Sequence, residues 1–111
     1  MTEPLGTFSG FEVEDLGSLT ATGVTKSVQS GGTNLTFQVK LASVGTNVVI
    51  RLEGSLDNAD FFNLAAGNAD YTLTANGTYG YVLFAPVKYI RLRLVSISGG
   101  TPTISAIAGA A

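Results

Sequence analysis

The stretch Leu35-Thr-Phe-Gln-Val-Lys-Leu41 alternates apolar and polar side chains without interruption. Successive side chains of a β-strand point to opposite faces of a sheet, so a period of two separates the apolar set from the polar set. The stretch is therefore predicted to be a strand with one buried face and one solvent-exposed face. It sets the pattern against which the rest of the chain can be compared.

The same alternation recurs in short segments that Gly and Pro separate. These segments are Val48–Leu52, Tyr71–Thr74, Tyr79–Phe84, Ile90–Leu94 and Thr103–Ala108, with weaker ones at Ser18–Thr22 and Val24–Gln29. Between two of them, Asn76-Gly77 is a strong two-residue turn signal, so residues 70–84 are predicted to form a hairpin. Gly99-Gly100 is predicted to turn the chain into the last strand.

Seven or eight short strands at this spacing predict an all-β fold, namely an antiparallel β-sandwich or jelly-roll-like domain. A small closed barrel is the competing architecture. The 111 residues suffice for one domain with one core. We expect residues 1–23 to form an extended N-terminal arm and residues 24–111 to form the β-sandwich domain.

The composition argues against most catalytic chemistry. The chain has no His and no Cys, which closes the usual routes to general-base, thiolate and zinc catalysis. We therefore expect no enzyme activity, no cofactor and no metal. No apolar run is long enough to span a membrane, and the N-terminus lacks the pattern of a signal peptide. Only 13% of the residues are charged, which suits a protein that packs against neighbours.

Charge is distributed unevenly. Residues 1–15 carry four acids and no base, a net charge of −4, whereas residues 16–111 carry six bases and four acids, a net charge of +2. We predict that Glu12, Glu14 and Asp15 bind a partner. Arg91 and Arg93 lie two residues apart on one strand face and are predicted to receive such an acidic segment from another copy. Pairing of these arginines with Glu53 of the same chain is the alternative. Six bases in an acidic chain leave little to drive nucleic-acid binding.

Two further sets of residues suggest ligand sites. Loop oxygens of the kind that calcium prefers occur at Asp57, Asn58, Asp60, Asn63, Asn68 and Asp70, although Asp and Asn also form turns without any ion. Aromatic side chains that could stack on a sugar occur at Phe61, Phe62, Tyr79, Tyr81 and Tyr89. Aromatic pairs across strands also stabilise sheets without a ligand, so both interpretations stay open.

The sequence from residue 49 to residue 108 resembles small β-sandwich virion proteins of tailed bacteriophages. The resemblance rests on five motifs: Ile50-Arg-Leu-Glu-Gly-Ser-Leu-Asp57, Asp60-Phe-Phe-Asn-Leu64, Ala75-Asn-Gly-Thr-Tyr79, Lys88-Tyr-Ile-Arg-Leu92 and Gly99-Gly-Thr-Pro-Thr103. Some members of that group are head decoration or cement proteins that form trimers on the capsid exterior. Related modules occur in tail and baseplate parts.

The resemblance implies a non-catalytic capsid decoration protein that binds the outer surface of the head and bridges neighbouring capsomers. Its expected partners are the major capsid protein and copies of itself, as a homotrimer, with no nucleic acid and no membrane involved. The expected location is the capsid exterior of the virion, after synthesis in the host cytoplasm. A tail-fibre or baseplate module for receptor or carbohydrate binding is the alternative.

Overall fold

The computed structural model describes residues 12–111, and within this range almost all regular structure is β-strand. The strands are β1 (Glu12–Leu19), β2 (Gly23–Val24), β3 (Val28–Gln29), β4 (Asn34–Ser55), β5 (Phe62–Asn63), β6 (Tyr71–Leu73), β7 (Gly77–Phe84) and β8 (Tyr89–Ala110). A 3₁₀ turn covers Ala66–Asn68. The strands pair antiparallel, so the predicted all-β antiparallel fold with seven or eight strands is confirmed. No helix in residues 12–111 has the length and apolar character needed to cross a membrane.

Strands β4 and β8 are much longer than the alternation predicted. Each has 22 residues, and the two pair from Leu35 opposite Ala110 to Ser55 opposite Tyr89. The register shifts near the middle of this ribbon, where β8 contains the Gly99-Gly100 pair. The predicted turn between two strands is therefore wrong. Both glycines have the positive φ that a turn would need, at 73° and 70°, but the ladder continues beyond them.

Close approach of two backbones marks the bend in the ribbon. A Cβ at Gly100 would lie 2.8 Å from the Cα of Gly45 and 2.9 Å from the carbonyl oxygen of Ser43. A Cβ at Gly45 would lie 2.7 Å from the carbonyl oxygen of Gly99. Real Cβ atoms do not approach backbone this closely, so only glycine lets β4 and β8 bend together here.

The bend divides the sheet into two layers. In the first layer, the early half of β4 pairs with β7, and the late half of β8 pairs with β1. In the second layer, the late half of β4 pairs with β5 and β6, and the early half of β8 pairs with β2 and β3. The outermost strands of each layer do not pair with one another, so the described residues form an open sandwich rather than the closed barrel that was the competing architecture.

Side chains join the two layers across the bend. Tyr71 of the second layer and Tyr81 of the first have ring centroids 4.3 Å apart at one side of the sandwich. At the other side, Ile90 and Ala108, which lie near opposite ends of β8, border the same narrow cleft. Between these sides lies one apolar core, built from the inward residues of the alternating segments: Leu35, Phe37, Val39, Leu41, Val48, Ile50, Leu52, Ile90, Leu92, Leu94 and Ile104.

The first strand includes residues that were predicted to belong to the arm. Residues 12–19 pair with β8, and Leu16 is buried in the core. Within the described residues, β1 is therefore part of the sandwich from Glu12 onward. Leu16 lies on the same inward side as Glu12 and Glu14, and the bulge between Asp15 and Gly17 then shifts the inward positions to Gly17 and Leu19. Residues 1–11 of the predicted arm lie outside the described residues.

The predicted hairpin over residues 70–84 is wrong. Strands β6 and β7 do not pair with each other; both pair with β4, β6 along its late half and β7 along its early half. The segment between them crosses from the second layer to the first. Asn76 assists the crossing, because its side-chain oxygen accepts a hydrogen bond of 2.9 Å from the backbone N–H of Val44, at the irregular part of β4.

Candidate partner-binding surfaces

The outer face of the second layer carries a network of charged side chains around Glu53. Strand register places Glu53 opposite Arg91 and places Arg51 opposite Arg93, on the face away from the core. Two arginines hold the carboxylate of Glu53: the Nε of Arg91 lies 2.7 Å from Oε1, and the Nε of Arg93 lies 2.8 Å from Oε2. Only 4% of the Glu53 side chain is exposed, although it points away from the core.

The network continues to Asp70 through Arg51. The guanidinium of Arg51 binds both carboxylate oxygens, with Nε 2.8 Å from Oδ1 and Nη2 3.0 Å from Oδ2 of Asp70. Its Nη1 also lies 3.9 Å from Oε2 of Glu53. The hydrogen bond from Arg51 lowers the pKa of Asp70 below its ordinary value, and the same bond raises the pKa of Arg51. Asn63 adds a hydrogen bond of 3.0 Å to Oδ1 of Asp70.

An aromatic ring covers one of the arginines. The guanidinium carbon of Arg91 lies 3.7 Å from the ring centroid of Phe61, a cation–π contact. Three arginines, one glutamate and one aspartate thus form a network with a net charge of +1. A carboxylate or phosphate from a partner would have to compete with Glu53 for Arg91 and Arg93. The structure brings Arg91 and Arg93 together on one face and pairs both with Glu53 of the same chain, which is the alternative stated above. Their binding to a partner stays a prediction.

The predicted acidic residues lie on β1 and divide between two faces. Glu12 and Glu14 are paired with Ala110 and Ala108, and both border the cleft between the layers. Asp15 is paired with Ile107 on the outer face of the first layer, and its Oδ1 accepts a hydrogen bond of 2.8 Å from the N–H of Gly17. These acids therefore form two separate negative positions along one edge.

The Asp and Asn residues after β4 are engaged in local turns. Oδ1 of Asp57 accepts hydrogen bonds from the backbone N–H groups of Ala59 and Asp60 and from the hydroxyl of Ser55. These bonds lower the pKa of Asp57, with the N–H of Asp60 contributing most. Among residues 12–111, no three acidic side chains gather as a metal site would require. Asp57 is the first of the loop residues considered as calcium ligands, and these local hydrogen bonds explain its presence as a turn former.

The aromatic side chains do not assemble into one exposed platform. Tyr79 and Tyr81 share the face of β7 that packs against the core, and the hydroxyl of Tyr79 donates to the carbonyl oxygen of Ala75. Tyr81 is stacked on Tyr71, and its burial raises the pKa of its phenol. Phe61 is covered by Arg91. This arrangement gives no support to a sugar-stacking face built from these residues.

Sequence alternation placed the arginines on one face but could not identify Asp70 as a member of the network. Asp70 lies in a loop, 19 residues from Arg51, with no period that would mark it. The contact between Phe61 and Arg91 was likewise not predicted. The one available signal was the outward Arg51 and Glu53 pair on a strand that was expected to neighbour the strand of Arg91.

The fold resembles that of a solved phage-derived protein. The crystal structure of the SPBc2 prophage-derived protein YomS superposes with a TM-score of 0.62 over 97% of this chain and 100% of that chain, at 13% sequence identity. A likeness at this identity shows a shared fold. Two structures of oxalate oxidase in complex with glycolate score only 0.35 at 12% identity, over 98% of this chain and 55% of theirs. No protein-family model matches the chain, and no curated protein sequence matches it.

Proposed function

We propose that the chain is a non-catalytic structural protein of a bacteriophage virion, and specifically a head decoration protein that binds the outer capsid surface and bridges neighbouring capsomers. The observation that carries the proposal is the fold shared with a prophage-derived protein over 97% of this chain and 100% of that chain. That match agrees with the phage class to which the sequence motifs point.

The distribution of charge supports a role in packing rather than in binding a charged ligand. All three arginines belong to the network around Glu53, which is nearly neutralised within the chain. The outer face of the first layer presents mostly uncharged side chains instead, including Thr36, Gln38 and Ser105. Such groups cost less to desolvate than lysine or glutamate, so they suit a contact that is repeated many times over a capsid.

In this proposal, the major capsid protein is the partner and the N-terminal edge makes the contact. Glu12, Glu14 and Asp15 lie on an exposed edge strand directly after residues 1–11, so the two parts can act on one capsid surface. The phage resemblance adds a homotrimer on the capsid exterior. Many copies would supply avidity from a modest interface.

The proposal is tested by adding the purified chain to phage heads that lack it and counting bound copies after sedimentation. Deletion should be limited to residues 2–11, because removing residues up to 15 would destroy β1 and expose the core around Leu16. We expect the deletion and an E12Q/E14Q variant each to lower occupancy at least tenfold, while D60N, which removes an exposed acid elsewhere, leaves it unchanged. Thermal unfolding confirms that each variant is folded.

Imaging of the native particle gives the second readout. Density for the chain on the shell is the expected result. Density confined to the tail, or full occupancy of heads by the deletion variant, would refute the decoration role. Density at the tail would favour the receptor-binding module instead.

A further inference from the structure

The two edges of the first layer differ sharply in how well they are protected against pairing. Edge strands expose unpaired N–H and C=O groups, and proteins commonly block them with charges, bulges or very short strands. Strand β1 carries three acids and a bulge between Asp15 and Gly17. The edges of the second layer consist of strands of only two or three residues, namely β2, β3, β5 and β6.

Strand β7 has none of these protections. It has eight residues, no charge and no proline, and it pairs with β4 from Gly77 to Phe84 without a register shift. Within residues 12–111 its only partner is β4, so its second edge is open. Its outward side chains include Val82, which is 79% exposed, and Phe84, which is 73% exposed. This is the longest uncharged edge in the part of the chain that the structure describes.

The backbone groups that face this open edge can be assigned from the register. The N–H of Ala85 donates to the carbonyl oxygen of Thr33 at 2.7 Å, which continues the β4 and β7 ladder by one pair. In an antiparallel ladder, residues that bond a neighbouring strand alternate with residues that point away from it. Thr78, Gly80, Val82 and Phe84 therefore direct their N–H and C=O groups to the open side.

We propose that β7 pairs antiparallel with β7 of a second copy of this chain about a twofold axis. The pairing would join the two first layers into one continuous sheet of eight strands, in the order β1-β8-β4-β7 and then the same strands in reverse order. The inference goes beyond the proposed function and does not depend on it.

The chemistry of β7 favours a second copy as the occupant. A twofold axis places every residue opposite a residue of the same strand, so a charged edge would oppose its own charges, as β1 would. Strand β7 has no charge to repel. With Val82 opposite Val82 of the second copy, Phe84 falls opposite Gly80, where no atom lies within 4 Å of the position that a Cβ would take. Each Phe84 ring then covers Gly80 of the other copy. The central Val82 pair and the two pairs of Phe84 with Gly80 together supply about six backbone hydrogen bonds.

This contact is compatible with a homotrimer formed through another surface. A twofold contact whose axis meets a threefold axis at a right angle gives a closed assembly of six copies, whereas the twofold contact alone gives a dimer. In both cases β7 meets β7 of another copy, so the test addresses that contact directly.

The first experiment measures mass by sedimentation equilibrium for the wild-type chain, V82K and Q38K. The V82K variant places two lysines opposite each other on the twofold axis, whereas Q38K puts the same charge on the same outer face, one strand away. We expect V82K to halve the mass of the assembly, from a dimer to a monomer or from six copies to three. We expect Q38K to keep the wild-type mass. Both positions are exposed, so unfolding temperatures should stay within a few degrees of wild type.

The second experiment uses the absence of cysteine from the chain. Paired residues at such a site have Cα atoms about 5.5 Å apart, within the range that a disulfide spans. Mild oxidation should link V82C into covalent dimers and leave Q38C unlinked. A wild-type chain that is monomeric at about 100 μM, where even a weak dimer would form, would overturn the proposal. So would a V82K variant of unchanged mass, equal linkage of both cysteine variants, or an assembly that dissociates only when residues 2–11 are deleted.

Discussion

Substitution of Gly100 by alanine tests whether the bend in the long ribbon determines the fold. Gly100 has a φ of 70°, a conformation that costs an L-residue about 1 kcal/mol or somewhat more. The added Cβ would also lie 2.8 Å from the Cα of Gly45. Because backbone lies on both sides of this contact, no side chain can move to relieve the overlap.

A matched control separates the two costs. Gly67 has a φ of 69°, almost the same as that of Gly100, but a Cβ there would have no atom within 4 Å. G67A should therefore lose only the conformational part, about 1 kcal/mol. G100A should lose that part and a further ~2–3 kcal/mol for the overlap, a typical cost of overpacking a rigid site. The expected difference between the two variants is thus about 2–3 kcal/mol.

Urea denaturation followed by far-UV circular dichroism measures both variants, with equal slopes confirming that the same surface unfolds. We expect G100A to have a clearly lower midpoint than G67A, and G67A to lie slightly below wild type. Equal free energies of unfolding for the two variants would refute the argument, because they would show that the ribbon relaxes at the bend at no cost.

Three further predictions concern single side chains. E53Q leaves two arginines facing an amide, and we expect a loss of about 2–3 kcal/mol in the free energy of unfolding, with no such loss for D60N. N76A removes the acceptor for the N–H of Val44 and should cost about 0.5–1.5 kcal/mol by thermal unfolding. Because the pKa of Asp70 is lowered in the folded chain, its contribution to stability is full above about pH 4 and is lost as pH falls through its folded pKa. A stability profile between pH 6 and pH 2 should therefore be shallower for D70N than for wild type, and identical slopes would count against the ion pair.

Period-two alternation predicted most of the side chains that form the core, although not Leu16 or Ala85. The inward residues of Leu35–Leu41, Val48–Leu52 and Ile90–Leu94 are all buried, because alternation reports the two faces of a strand directly. It could not predict that the first two segments belong to one strand. Whether a chain turns or merely bends at an irregular stretch depends on the strand beside it, and here β8 follows β4 through the bend.

The same long-range dependence explains the failure at Asn76-Gly77. A hairpin signal is local, but β4 offers two separate pairing segments, one on each side of its irregular middle. Strands β6 and β7 both join the sheet beside β4 and do not pair with each other. Asn76 then bonds the N–H of Val44 rather than closing a tight turn.

For the candidate surface, the sequence predicted the residue types and the face but left the partner open. Arg91 and Arg93 were expected to bind carboxylates, and either Glu53 or an acidic segment of another copy fitted that chemistry. The choice required the register between β4 and β8, because Glu53 lies 38 residues from Arg91 along the chain. Sequence periodicity indicates which side chains share a face of a strand. A contact between residues so far apart along the chain also depends on the register between the two strands.

The arginine network also constrains how any partner can be recognised. Arg51, Arg91 and Arg93 are half of the six basic residues, and each is bonded to an acid of the same chain. The remaining bases are three dispersed lysines, which produce little long-range attraction for an anionic surface. In the proposed role, the basic residues therefore contribute little to recognition, which leaves the acids of β1, the backbone groups at open edges and the uncharged side chains on sheet faces to make the contact. If the chain binds a repeating lattice, as proposed, the affinity from such modest contacts grows with the number of copies engaged.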